Sequence, residues 1–350
     1  MSLLGAYVPR ERAKCTSELE TYRAYLEKNV PENAQRTNFE FAFNSFRPFY
    51  ICMMLYVLVF LLSCFSWLGW SAPLRSAAFW LAVLTLILNT GAFIGRMYLM
   101  DRWAVFVTNL YATGVFIGWV ITVMALCLEV IFPLGIATAG AGLLGFLTAL
   151  LSHYLARTGG DTLGMMQAVL DTNFWLATHV TIINIGYGAT LLAGGLGFIY
   201  LFLAMSTRLI DDEMKKALGT MIYGTVCFAV LFSFTGTVLG GIWADQSWGR
   251  FWGWDPKENG ALMIVMWNAL ILHARWCGLV KQTGVATLAL VGNMITLWSW
   301  IGTNQLGVGL HAYGFNNTLA MIVSILWAVH LVPIAVALLP RGWWRSPAAA

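Results

Sequence analysis

The chain is divided into nine apolar runs, near 48–70, 76–96, 108–128, 133–152, 174–204, 218–243, 259–280, 284–303 and 317–339. Each is close to the ~20 residues that one α-helical crossing of a bilayer core needs. Inside hydrocarbon every backbone N–H and C=O must find its partner within the segment, which leaves helix as the form for runs of this length. Composition removes the alternative of core helices in a soluble globule. Of the 350 residues, 59% are hydrophobic and 10% charged, with mean hydropathy +0.72, far from the usual balance of a water-soluble domain. The expected fold class is an all-α polytopic membrane protein of about nine transmembrane helices. The fifth run is long enough to tilt or to begin outside the core, and its Gly186, Gly188, Gly194, Gly195 and Gly197 suit close packing against neighbouring helices.

The loops set an orientation. Arg75, Arg208, Lys215, Lys216, Arg275, Lys281, Arg341 and Arg345 fall on one side, and Arg96, Arg102, Arg157, Arg250 and Lys257 on the other. By the positive-inside rule the larger set is cytoplasmic, which puts the C-terminal tail (341–350) inside and the N-terminus outside. Residues 1–47 are hydrophilic and lack a signal-peptide core. Ser17-x-x-Glu20 followed by Leu19, Tyr22 and Leu26 predicts a short amphipathic helix ending before Pro31, resting on membrane lipid or a partner. Seven basic and six acidic residues in this segment nearly cancel, and nothing in it drives translocation. An upstream membrane segment of a longer polypeptide, or a partner, is therefore expected to supply the crossing. The net charge of +4 comes with no basic run, so no nucleic-acid role is expected. Six cysteines stand far apart with no C-x-x-C pair and read as small core residues.

Between the sixth and seventh runs lies the densest polar and aromatic stretch, residues 243–259. Trp243, Trp248, Trp252, Trp254 and Phe251 offer flat faces, while Gly249 and Gly253 allow tight folding. Such a loop at a bilayer surface suits a large planar apolar molecule; an interfacial aromatic belt is the plainer reading. Asp255, Pro256, Lys257 and Glu258 also read as the N-cap and first turn of the next helix, with a capping box, so Asp255 is either a cap alone or a cap that also binds the planar molecule.

The string Trp248-Gly-Arg-Phe-Trp-Gly-Trp-Asp-Pro-Lys-Glu258 resembles the tryptophan-rich WWD signature of haem-handling proteins, most closely the CcsA (ResC) branch of cytochrome c biogenesis. Trp175-Leu-Ala-Thr-His179-Val and Gly309-Leu-His311-Ala-Tyr-Gly-Phe315 agree with the same branch. The resemblance covers 105–340 as a haem-handling membrane domain, whereas the two helices of 48–104 match weakly. It implies haem b as substrate and ligand, with His179 and His311 as external axial ligands on the periplasmic face of a bacterial inner membrane. Trp243, Trp248, Trp252 and Trp254 would pack the porphyrin, and Arg250 and Lys257 would meet its propionates or, equally, lipid headgroups. It also implies that His273, ~21 Å along the seventh run from Asn259, is an inner ligand whose partner lies on a ResB (CcsB) subunit. His330, ~20 Å into the ninth run, is either a second inner ligand or a core histidine hydrogen-bonded to a carbonyl. His153 reads as an interface residue.

The resemblance thus implies a cytochrome c synthase, or haem lyase, that delivers haem outward and presents it to the C-x-x-C-H thiols of apocytochrome c. No catalytic base stands out, and positioning would carry the catalysis. A thioredoxin-like partner would keep the thiols reduced. A haem exporter or chaperone without attachment activity is the alternative. An ion or proton translocator subunit is a third, disfavoured because no carboxylate or lysine sits inside a run and Glu129 lies at a run's end.

Overall fold

The computed structural model describes residues 12–158, 162–163, 171–311, 316–340 and 343–346. Among them there is no strand, and helices form where apolar runs meet their caps. The helices are α1 (Arg12–Asn29), α2 (Pro31–Phe46), α3 (Pro48–Ser66), α4 (Ser71–Met100), α5 (Leu110–Ile131) and α6 (Ile136–Thr158), followed by α7 (Asn173–Ser206), α8 (Asp212–Trp248), α9 (Pro256–Trp276), α10 (Gln282–Trp300) and α11 (Asn317–Ala337). All nine apolar runs become helices. Among the described residues, seven helical stretches are long and apolar enough to cross a membrane; α9 and α10 fall short of that measure. The physical reason is visible in α10, whose Thr283, Asn293, Thr296 and Ser299 are buried against other helices. Polar side chains turned inward lower the average without being presented to lipid.

α7 is the hub, packed between α8 and α10 and flanked by α5 and α6. Its glycines are used as expected. A Cβ at Gly186 would fall 2.7 Å from the backbone N of Ser233 on α8, and one at Gly197 would fall 2.6 Å from the carbonyl of Ala286 on α10. Backbones brought this close gain dispersion contact where no water is available to drive association. Interhelical hydrogen bonds add to it: Tyr187 and Ser299 hydroxyls are 2.9 Å apart, and Asn268 Nδ2 donates to Thr190 Oγ1 at 3.1 Å.

Two expectations change. The N-terminal segment forms two helices where one was expected; the first does end before Pro31. The second, α2, begins with that proline at its first turn, where no N–H is needed. Arg36 pairs with Asp101 at 3.0 Å and Phe39 meets Tyr98 edge-on, which fastens α2 to the last turn of α4. The cysteines are not uniformly core residues either: Cys52 is buried, whereas Cys127 and Cys277 are exposed. Glu129 is buried at the end of α5, where its carboxylate accepts the amides of Gly135 and Thr138. Arg341 and residues 312–315 of the third matching stretch lie outside the described residues.

Candidate functional site

α8 closes at Trp248 with Gly249 as a left-handed C-cap, and the chain turns through 249–255 into α9. Asp255 is the N-cap. Its Oδ1 accepts the Lys257 amide at 2.8 Å, while Glu258 Oε2 returns to the amides of Asp255 and Gly253 at 3.1 and 2.8 Å, completing the capping box. The second carboxylate oxygen leaves the helix altogether, accepting the Leu310 amide at 2.6 Å and the His311 amide at 3.4 Å. Asp255 thus caps α9 and clasps the 309–311 segment. Gly309 makes this possible: at φ +89 a Cβ there would lie 2.0 Å from Asp255 Oδ2, so only glycine admits the approach. His311 Nδ1 stands 3.4 Å from Oδ1 of the same carboxylate. Burial alone would raise the carboxyl's pKa, but His311 and the amides of Lys257 and Leu310 outweigh it and hold Asp255 down to about 2.

His179 reaches the same region from α7. It lies in a π-helical turn, Leu176–Val180, where the extra residue re-aims side chains, a device common at functional positions. Its Nδ1 is 2.8 Å from the Gly236 carbonyl. A carbonyl only accepts, so Nδ1 carries the proton and Nε2 keeps its lone pair, the form of imidazole that binds metals. A Cβ at Gly240 would sit 2.6 Å from His179 Cε1, so the ring rests directly on the α8 backbone. The sequence reading missed Gly236 and Gly240. The signal was Gly236-Thr-Val-Leu-Gly240, a small-xxx-small pattern that marks a close helix contact.

Aromatic rings complete the site. The His179 ring is 5.6 Å from Trp243, which stacks on Trp175 at 6.3 Å and 15°, and the His311 ring meets Trp248 at 5.3 Å and 88°. His179, His311, Trp243, Trp248, Phe251 and Trp252 all line one cavity of about 500 Å³, within the usual span of ligand sites. The indole Nε1 of Trp243 is buried without a partner among the described residues. The loop near 107–109 forms another wall, where Asn109 Nδ2 donates to the Thr162 carbonyl at 2.8 Å and Asn109 Oδ1 accepts the Ala112 amide at 2.9 Å.

Other predicted residues fall elsewhere. Trp254 is 70% exposed, edge-on to Trp252 and outside the cavity lining. Arg250 folds over Gly253 onto Glu258, at 3.4 Å. Lys257 stays in the cavity wall, with Nζ donating to Trp300 O at 2.6 Å and Asn304 Oδ1 at 3.2 Å. His273 is exposed near the end of α9, its Nδ1 2.8 Å from Ala269 O. His330 Nδ1 donates to Leu326 O at 2.7 Å, and its Nε2 faces Asn293 Nδ2 at 3.4 Å. His153 packs against Tyr50 at 5.6 Å.

An apolar helical bundle with an aromatic, two-histidine cavity at one end is that of an integral membrane protein. Residues 107–311 match the family model described as cytochrome C assembly protein. The chain belongs to that family, in its CcsA cytochrome c biogenesis branch. It is 28% identical over 240 residues to the cytochrome c biogenesis protein CcsA of Prochlorococcus marinus, covering 60% of this chain and 75% of that one. Against the protein of the same name from Chlamydomonas reinhardtii it is 29% identical over 218 residues, covering 60% and 61%. Among solved structures it is similar in fold to the cytochrome c heme lyase CcmF, with a TM-score of 0.58 at 13% identity, over 83% of this chain and 49% of that one. The chain therefore spans about half the length of that structure.

Proposed function

We propose that this chain carries haem b outward across the membrane and holds it, between His179 and His311, for covalent attachment to apocytochrome c. The observation that carries the reading is that both imidazoles line one aromatic cavity, with His179 Nδ1 hydrogen-bonded to the Gly236 carbonyl and His311 Nδ1 3.4 Å from the Asp255 carboxylate. Such outer partners orient metal-binding histidines and raise their basicity. Trp243, Trp248 and Trp252 would bed the porphyrin, and His179 and His311 would hold its iron through their Nε2 atoms. Held so, each vinyl group can receive a cysteine S–H of the C-x-x-C-H segment across its double bond, sulfur to one carbon and hydrogen to the other. Proximity supplies the rate.

On this reading the nine helices α3 to α11 cross a bacterial inner membrane, α9 and α10 shielded by their neighbours, with the cavity on the periplasmic face. The exposed ring of His273 suits a ligand completed by a ResB-like subunit, and a thioredoxin-like protein keeps the thiols reduced. His179→Gly and His311→Gly should each abolish attachment and lose the six-coordinate haem spectrum of the purified protein, with partial rescue by imidazole. An unchanged spectrum in both variants defeats the proposal. Reconstitution with ferrous haem and reduced apocytochrome distinguishes a synthase from a carrier, since a carrier yields no thioether product.

A further inference from the structure

Across α5 from the two-histidine cavity, a second cavity of about 470 Å³ is enclosed by α3, α4, α5 and α6. Leu110 and Thr113 line the first cavity, whereas Tyr111 and Val115 line this one, so α5 is the wall between them. The mouth lies at the α2–α3 joint, where Arg47 and Tyr50 are exposed and the Tyr50 ring meets that of His153 at 5.6 Å. Tyr56 and Asn89 form the floor, roughly 14 Å further along α3 from Arg47 at 1.5 Å per residue. Glycines bring the walls together there: a Cβ at Gly145 would fall 2.8 Å from the Tyr56 ring, and one at Gly118 would fall 2.6 Å from Thr148 Oγ1.

The floor holds an acceptor that the protein leaves unmet. Thr122 Oγ1 spends its one hydrogen on the Gly118 carbonyl at 2.8 Å, so the Tyr56 hydroxyl, 2.9 Å away, donates to Thr122 and accepts from Asn89 Nδ2 at 3.4 Å. That chain orients the carboxamide, nitrogen to Tyr56 and Oδ1 away from it. Asn89 is 2% exposed, and its Oδ1 has no partner among the described residues. Other donors along the walls are committed to backbone carbonyls: Ser152 to Thr148, Thr148 to Gly145, and Cys52 to Thr85. A buried carbonyl oxygen asks for a donor, and here the donor must arrive with a bound molecule. It is a neutral one. Arg47 and Arg96 line the cavity and no carboxylate is among the described residues that do, so an ammonium would enter beside two guanidiniums with nothing to pair it. Phe49 packs edge-on to Phe93 and Tyr111 at 5.7 and 6.1 Å, a fixed aromatic side that suits a ring. We infer that this cavity binds a membrane-soluble ring hydroxyl compound, a phenol of the quinol type, whose O–H donates to Asn89 Oδ1 and whose ring lies against Phe49 and Tyr111. Its apolar tail leaves through the mouth at Tyr50 and His153. The site is independent of the haem-carrying reading.

The test titrates the full chain in detergent, without oxygen, with a decyl-substituted hydroquinone, the corresponding quinone and the hydroquinone dimethyl ether, reading the heat of binding. Only the first of the three carries an O–H. It should bind about tenfold more tightly than the other two, since they leave Asn89 Oδ1 unmet. In Asn89→Leu all three should bind alike. The comparison of ligands is made on the native chain, so it stands even where that variant fails to fold. A chain with His179→Ala and His311→Ala should keep the preference, because its changes lie across α5. Equal binding of hydroquinone and dimethyl ether to the native chain, or no binding of any of the three, overturns the assignment. So does a preference that survives in folded Asn89→Leu, or one lost with the two histidines, which would put the ligand in the other cavity. Dodecanol binding as tightly as the hydroquinone marks a chain-alcohol site and removes the ring, and displacement of the hydroquinone by phosphatidylglycerol marks a lipid site.

Discussion

Asp255 concentrates more of the site's geometry than any other residue, because its two oxygens serve two different segments. One caps α9 and the other gathers the amides that carry His311. Its carboxyl is held at about 2, against an ordinary value of 3.8. A depressed pKa means the charged form is favoured in the folded state, so the contribution, on the order of 2 kcal/mol, is complete above pH ~4 and lost as pH falls toward ~2. Thermal denaturation scans in detergent should show this acid-labile increment in the native chain and lack it in Asp255→Asn. The same variant keeps the shape of the site and removes the charge beside His311. It should shift the haem potential upward, since a less basic ligand stabilises ferric iron less, and lower haem affinity or attachment by about 10- to 100-fold. A redox titration that finds no shift removes Asp255 from any role beyond capping and clasping.

The element that places His179 is the contact between the π turn of α7 and the glycine stripe of α8. Gly236 supplies the carbonyl, and a Cβ there would come within 2.7 Å of Ile183 Cα. Gly240→Val inserts methyl groups where the imidazole lies, an overpacking that costs typically 1–3 kcal/mol. The expected result is a protein that still folds but has lost the six-coordinate haem spectrum, with loss of haem about tenfold or greater. Gly224→Ala on the same helix, where no atom lies within 4 Å of the added carbon, should leave the spectrum unchanged. A Gly240→Val protein with a native spectrum would show that His179 is not held against α8.

At the scale of the whole molecule, the loops separate into two ends. α2 docks beside the 101–109 loop at the tryptophan end, whereas Arg75 reaches the Pro133 carbonyl at 2.6 Å and Ser346 reaches the Ala204 carbonyl at 3.0 Å at the other end. Cys277 is exposed between α9 and α10, and Val308 is 57% exposed beside the outer cavity. A membrane-impermeant maleimide should label Cys277 only from the cytoplasmic side and Val308→Cys only from the periplasmic side. Labelling of both from one side would rule out the alternation of nine crossings.

Much of this was legible in the residue string. Run length and hydropathy specify helices, an Asp-Pro-Lys-Glu cap specifies where α9 begins, and the tryptophan string marks the family. What only the folded chain decides is which side chains share a space. Trp254 and Trp252 are two residues apart, yet one faces out and the other lines the cavity, because Trp254 takes a positive φ in the turn before the cap. Arg250 and Lys257 are spent on Glu258 and on the Trp300 carbonyl, contacts set by the return of the loop and by α10. The apolar pattern determines that helices form and roughly where, since backbone groups in hydrocarbon have no other partners. The cavity is decided by glycine-bounded approach distances between helices far apart in sequence, which no local pattern encodes.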